Sequence, residues 1–153
     1  MDICGTLLFC LFFVYLGITA IIDSRNKVVY CYFNYIAAII LGIYLFVRFH
    51  MSWPVFIGFF IFYIAFYISE KLHITGGGDT EVFGVCYLAI AIFSNNNLLI
   101  MMNIIIEFLT VLLALLILEK IIDRIREIKQ KDVAFCPHIM IAMSLVMICN
   151  MIS

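Results

Sequence analysis

The stretch Ile74-Thr75-Gly76-Gly77-Gly78-Asp79-Thr80-Glu81 interrupts a nearly continuous apolar sequence with groups that can do chemistry. Three consecutive glycines carry no Cβ, so the backbone can turn sharply there and let an extended peptide approach closely. Asp79 follows at once, and an apolar run resumes at Val82. If that run is a helix, Asp79 stands near its N-terminus, where unsatisfied N–H groups and the positive end of the helix dipole favour a carboxylate. One acid is not a catalyst for peptide hydrolysis; two are. One carboxylate takes a proton from water while the other, protonated, polarises the scissile carbonyl, and a close pair shares a proton. The second candidate is Asp23, which closes the first apolar run.

The elements that must bring these acids together are membrane helices. The 153 residues are 67% hydrophobic and only 12% charged, against roughly 45–50% and about 25% in soluble domains. The chain therefore reads as a single all-α domain, residues 1–153, built as a polytopic membrane helix bundle in contact with lipid. No basic patch suited to nucleic acid stands apart from Glu119–Lys131, which also carries acids. Six runs approach the length of a membrane span, which is about 20 apolar residues. They are Ile3–Ile22, Val29–Val47, Trp53–Ile68, Val82–Phe93, Leu98–Leu118 and Val133–Ile152. The fourth is so short that it must be tilted, extended through Ser94–Asn97, or shielded by protein. The first lacks the basic residues that precede the core of a cleaved signal peptide, so it reads as a retained helix.

Charge gives the direction. With the N-terminus outside, the inside segments Asp23–Val28, Ser69–Glu81 and Glu119–Asp132 hold eight of the nine basic residues, and only Arg48 lies outside. That asymmetry is the expected inside excess of lysine and arginine. Isoleucines at helical spacing in Glu119–Lys131 predict a cytoplasmic amphipathic helix, either lying on the surface or prolonging the fifth span. The first span then runs outside to inside and ends at Asp23, while the fourth runs inside to outside from Asp79. Both acids fall at one membrane boundary.

Here the residues carry a likeness. Gly76-Gly77-Gly78-Asp79 resembles the G-x-G-D motif of membrane-embedded aspartic proteases. Asp23-Ser24-Arg25, with Val29 a few residues on, resembles the D-x-R…I-P-N segment of prepilin peptidases, and Val133-Ala134-Phe135-Cys136-Pro137-His138 looks like their I-P-F-x-P-F element. The chain thus resembles the type IV prepilin peptidase family, which is related to preflagellin peptidases. The resemblance implies an aspartic endopeptidase in the inner (cytoplasmic) membrane, cutting the leader from type IV prepilin-like precursors with Asp23 and Asp79 and with no cofactor. It also implies supporting roles for Gly76, Gly77, Gly78, Arg25, Glu81 and Pro137. Two departures stand out: Glu81 replaces the usual lysine, and Tyr30-Cys31 replaces Pro-Asn. No C-x-x-C pair is present, so the chain resembles a short form without the cysteine-rich cytoplasmic domain, and nothing in it supports methylation of the product.

Other polar residues have plainer readings. The six cysteines read as small buried hydrophobes. Glu107, within the fifth run, must face protein or water, or stay protonated. His73 and His138 have no second histidine at helical spacing, so no metal site is expected. Arg25 serves equally as a partner for Asp23, a precursor contact or a topology marker. Two other functions remain open: a small proton- or cation-coupled transporter using Asp23, Asp79 and Glu107, and a catalytically degenerate protein that only binds pilin-like partners.

Overall fold

The computed structural model describes residues 3–26, 31–50, 52–72, 78–125 and 134–152. Six helices follow one another: α1 (Ile3–Asn26), α2 (Cys31–Phe49), α3 (Trp53–Lys71), α4 (Asp79–Phe93), α5 (Leu98–Ile125) and α6 (Phe135–Ile152). No strand occurs among the described residues. The fold is an all-helical membrane bundle. α1, α2, α3 and α5 are long and apolar enough to cross a membrane, whereas α4 and α6 are shorter.

The short fourth run proves to be the axis of the molecule. α4 contacts each of the other five helices, and every residue from Val82 to Ile92 is buried. Its 15 residues give a rod about 22 Å long at 1.5 Å per residue, short of the ~30 Å hydrocarbon thickness. The helix ends at Phe93 rather than extending through Ser94–Asn97, and protein shields it. A helix apolar on every side needs such surroundings. Gly84, Ala89 and Ala91 keep its profile thin, and the Tyr63 and Phe59 rings of α3 pack against Gly84. Aromatic rings fill the space on the α3 side, where Phe83 stacks on Phe66 at 3.8 Å between centroids and Tyr87 meets Phe59 and Phe62. The Tyr87 hydroxyl donates to the Val55 carbonyl at 2.9 Å. Gly58 makes room for it, since a Cβ there would collide with that hydroxyl.

The outer faces carry the opposite pattern. Leu7, Phe46, Ile61, Leu99 and many other large apolar side chains point outward, as they must where the solvent is lipid. Among the cysteines whose side chains are described, Cys4, Cys10 and Cys149 join them as exposed, while Cys86 and Cys136 are buried. The expectation of uniformly buried cysteines therefore fails, because these three stand on stripes that face outward rather than toward α4.

Helix boundaries agree with local chemistry. Pro54 occupies the first turn of α3 after Ser52, where its missing N–H costs nothing. The α4–α5 turn holds Asn95 and Asn96 at positive φ, a conformation asparagine tolerates. Asn97 then caps α5, its Oδ1 accepting from the Leu99 and Ile100 amides. α5 runs unbroken to Ile125, so the amphipathic segment begins as a prolongation of the fifth helix. Its remainder, residues 126–131, lies outside the described residues.

Candidate active site

Asp23 lies inside α1, one turn before its C-terminal end rather than at the boundary, and is only 6% exposed. Asp79 opens α4 and is 4% exposed. Alternation of the helices puts the end of α1, the start of α4 and the start of α6 at the same end of the bundle. Both aspartates there touch one residue. The Cys136 amide donates to Asp23 Oδ2 at 2.9 Å, and the Cys136 thiol points at Asp79 Oδ1 from 3.9 Å. Two acids distant in sequence thus flank a single side chain that is 1% exposed.

The reason Cys136 can do this is its place in α6. It is the second helical residue, so its amide has no partner within the helix. The Asp23 carboxylate supplies that partner at the positive end of the helix dipole, capping α6 from another element. Pro137 follows in the first turn, a position where proline is tolerated. His138, one residue on, sits with Nδ1 2.9 Å from the Ala134 carbonyl and Nε2 3.1 Å from Glu119 Oε2. This fastens the far part of α5 to the start of α6.

Asp79 is set by the residue before it. Gly78 has φ 96° and ψ −14°, a left-handed conformation that favours glycine. Its carbonyl accepts from Asn34 Nδ2 at 3.4 Å, and Asn34 Oδ1 accepts from the Tyr15 hydroxyl at 2.7 Å. A chain of hydrogen bonds therefore runs from α1 through α2 to the turn that carries Asp79. Thr80 donates to Glu70 Oε2 at 2.8 Å, which secures the same turn against the end of α3.

The other supporting residues fall in different places. Glu81 is half-buried, with the Tyr35 hydroxyl 3.5 Å from Oε1, while Oε2 is buried without a hydrogen-bond partner among the described residues. Arg25 is exposed in the last turn of α1, and Pro137 is half-buried beside Cys136. Gly76, Gly77 and His73 lie outside the described residues. Glu107 does not join the acids: it is exposed and accepts from Asn150 Nδ2 at 2.7 Å, linking α5 to α6 well away from that end. Among the described residues, no three His, Cys, Asp or Glu side chains converge as a metal site.

Asn34, Tyr15, Thr80 and Glu70 were not singled out by their sequence pattern. A lone asparagine in the apolar run Tyr32–Phe49 is the one signal that was present, because a buried amide in a membrane helix needs partners. Comparison of the chain with protein-family models, with curated proteins and with solved structures returns no match.

Proposed function

We propose that the chain is a membrane aspartic endopeptidase that removes leader peptides from type IV prepilin-like precursors at the cytoplasmic face of the inner membrane. The observation that carries this reading is the meeting of Asp23 and Asp79 at Cys136. In the reaction, one carboxylate removes a proton from a water molecule, which attacks the scissile carbonyl. The protonated partner donates a hydrogen bond to the developing oxyanion. Collapse of the tetrahedral intermediate breaks the C–N bond, and the proton passes to the leaving amine. Gly78 carries no Cβ, so no side chain stands between a peptide backbone and Asp79 at that position. Arg25, Lys71 and Arg124 close helices at the same end as the acids, whereas Arg48 closes α2 at the other; this supports a cytoplasmic placement of the site.

A cation path finds less support, since Glu107 is bound to Asn150 rather than aligned with the aspartates. The test is co-expression of a type IV prepilin with the wild-type chain, Asp23→Asn or Asp79→Asn, each quantified in the membrane fraction. The wild type shortens the prepilin and both variants leave it full length. Normal processing by either variant removes that residue from catalysis.

A further inference from the structure

Most of the outward surface is what lipid demands. Between Ile36 and Val47 on α2, and between Phe56 and Ile64 on α3, every exposed side chain is apolar. α5 differs. Asn103, Glu107 and Thr110 are all exposed, as is Ala114, and their four- and three-residue spacing puts them on one stripe along that helix. From Leu98 to Glu107 the helix rises about 14 Å at 1.5 Å per residue, which is near the middle of a hydrocarbon layer ~30 Å thick. The stripe therefore lies deep within Leu98–Arg124, the most apolar of the four long spans.

Part of this polarity is satisfied within the chain. Thr110 Oγ1 donates to the Ile106 carbonyl at 2.7 Å, and Asn150 Nδ2 donates to Glu107 Oε2 at 2.7 Å. Neither bond withdraws its residue from the surface. The Asn103 amide has no hydrogen-bond partner among the described residues. A carboxyl group and a carboxamide turned toward hydrocarbon are costly, and the cost falls when another helix supplies the missing partners. Ile106 and Ile117 on one side of the stripe, and Ile100 and Leu118 on the other, are exposed as well. The face is thus a polar seam between apolar flanks.

We infer that this face of α5 is the contact between two copies of the chain, related by a two-fold axis along the membrane normal. Copies insert in one direction, set by their lysines and arginines, so equivalent residues meet at equal depth. A two-fold interface uses one patch twice, and that patch must complement itself. This one does. The Asn103 amide both donates and accepts, so each copy offers the other a donor for the Glu107 carboxyl and an acceptor besides. Ala114, further along the stripe, is small enough to let the two backbones approach. The inference does not depend on the peptidase reading.

Two measurements on the full chain in phosphatidylethanolamine and phosphatidylglycerol vesicles test this. In the first, copies carrying donor or acceptor dyes at the N-terminus report association by energy transfer as the protein is diluted into lipid. The wild type associates, and single complexes bleach in two steps. Asn103→Leu, which removes no bond within a copy, weakens association about tenfold, while Glu107→Gln, which keeps a polar group, stays close to wild type. In the second, Cys4, Cys10, Cys31 and Cys149 are replaced by alanine and the vesicles are oxidised with copper phenanthroline. Asn103→Cys then yields a disulfide-linked dimer, and Ile61→Cys, at an exposed position on α3, does not. Monomers at every dilution, equal association of Asn103→Leu and wild type, or equal crosslinking at the two positions overturns the inference.

Discussion

Cys136 contacts both candidate acids in different ways, and the difference has consequences for mutation. Its amide serves Asp23 whatever side chain it carries, while its thiol, a weak donor, faces Asp79 at 3.9 Å. Cys136→Ala is therefore expected to slow prepilin cleavage by less than about tenfold. Losing one weak hydrogen bond costs on the order of 1 kcal/mol, about a factor of five. A loss as complete as that of Asp23→Asn would show that the thiol itself takes part. Gly78 is less forgiving. At φ 96° an L-residue is strained by about 1–2 kcal/mol, so Gly78→Ala is expected to lower the melting temperature in detergent and to depress cleavage. The thermal unfolding curve and the rate check this together. The aspartates and Gly78 were legible in the sequence because glycine and aspartate stand out in an apolar chain. Cys136 was not: its role comes from a main-chain amide, which every residue except proline possesses.

Among the elements, α4 carries the most. It was the weakest of the six apolar runs to recognise, since length and hydropathy are signals of lipid contact and α4 meets protein on all sides. Its packing on α3 depends on the Gly58 notch and the Tyr87 hydroxyl within it. Gly58→Ala is expected to destabilise the bundle by about 1–3 kcal/mol through overpacking. Tyr87→Phe alone costs about 1 kcal/mol for the lost hydrogen bond. The two residues share one contact, so the double variant should fall short of the sum of the singles. A double-mutant cycle from detergent unfolding measures this, and strict additivity would contradict the notch. α1 and α2 show what run-finding captures well. Their outward stripes are ordinary membrane helix surface, whereas Asp23, Tyr15 and Asn34 depend on partners in other elements that sequence does not pair.

Across the whole molecule, polar chemistry is segregated. One end gathers Asp23, Asp79, Asn34, Thr80, Glu70, Glu81, Glu119 and His138, joined across all six helices by side-chain contacts. Away from it, Glu107 and Asn150 form a pair between α5 and α6. Glu107→Gln retains a carbonyl oxygen for Asn150 and is expected to leave processing unchanged, with stability shifted by less than about 1 kcal/mol. Loss of processing with a fully inserted variant would instead favour a path of acids through the bundle. The alternation of helix direction, read from lysine and arginine placement, anticipated this segregation, because parity assigns each helix end to a side without knowledge of packing. The partners within each side came only from the fold. The central claim is that Asp23 and Asp79 act together on one peptide bond. Purified protein incubated with intact prepilin, with products weighed by mass spectrometry, tests it most directly. The account predicts one shortened product from the wild type and none from Asp23→Asn or Asp79→Asn; the same product at wild-type rate from either variant would contradict it.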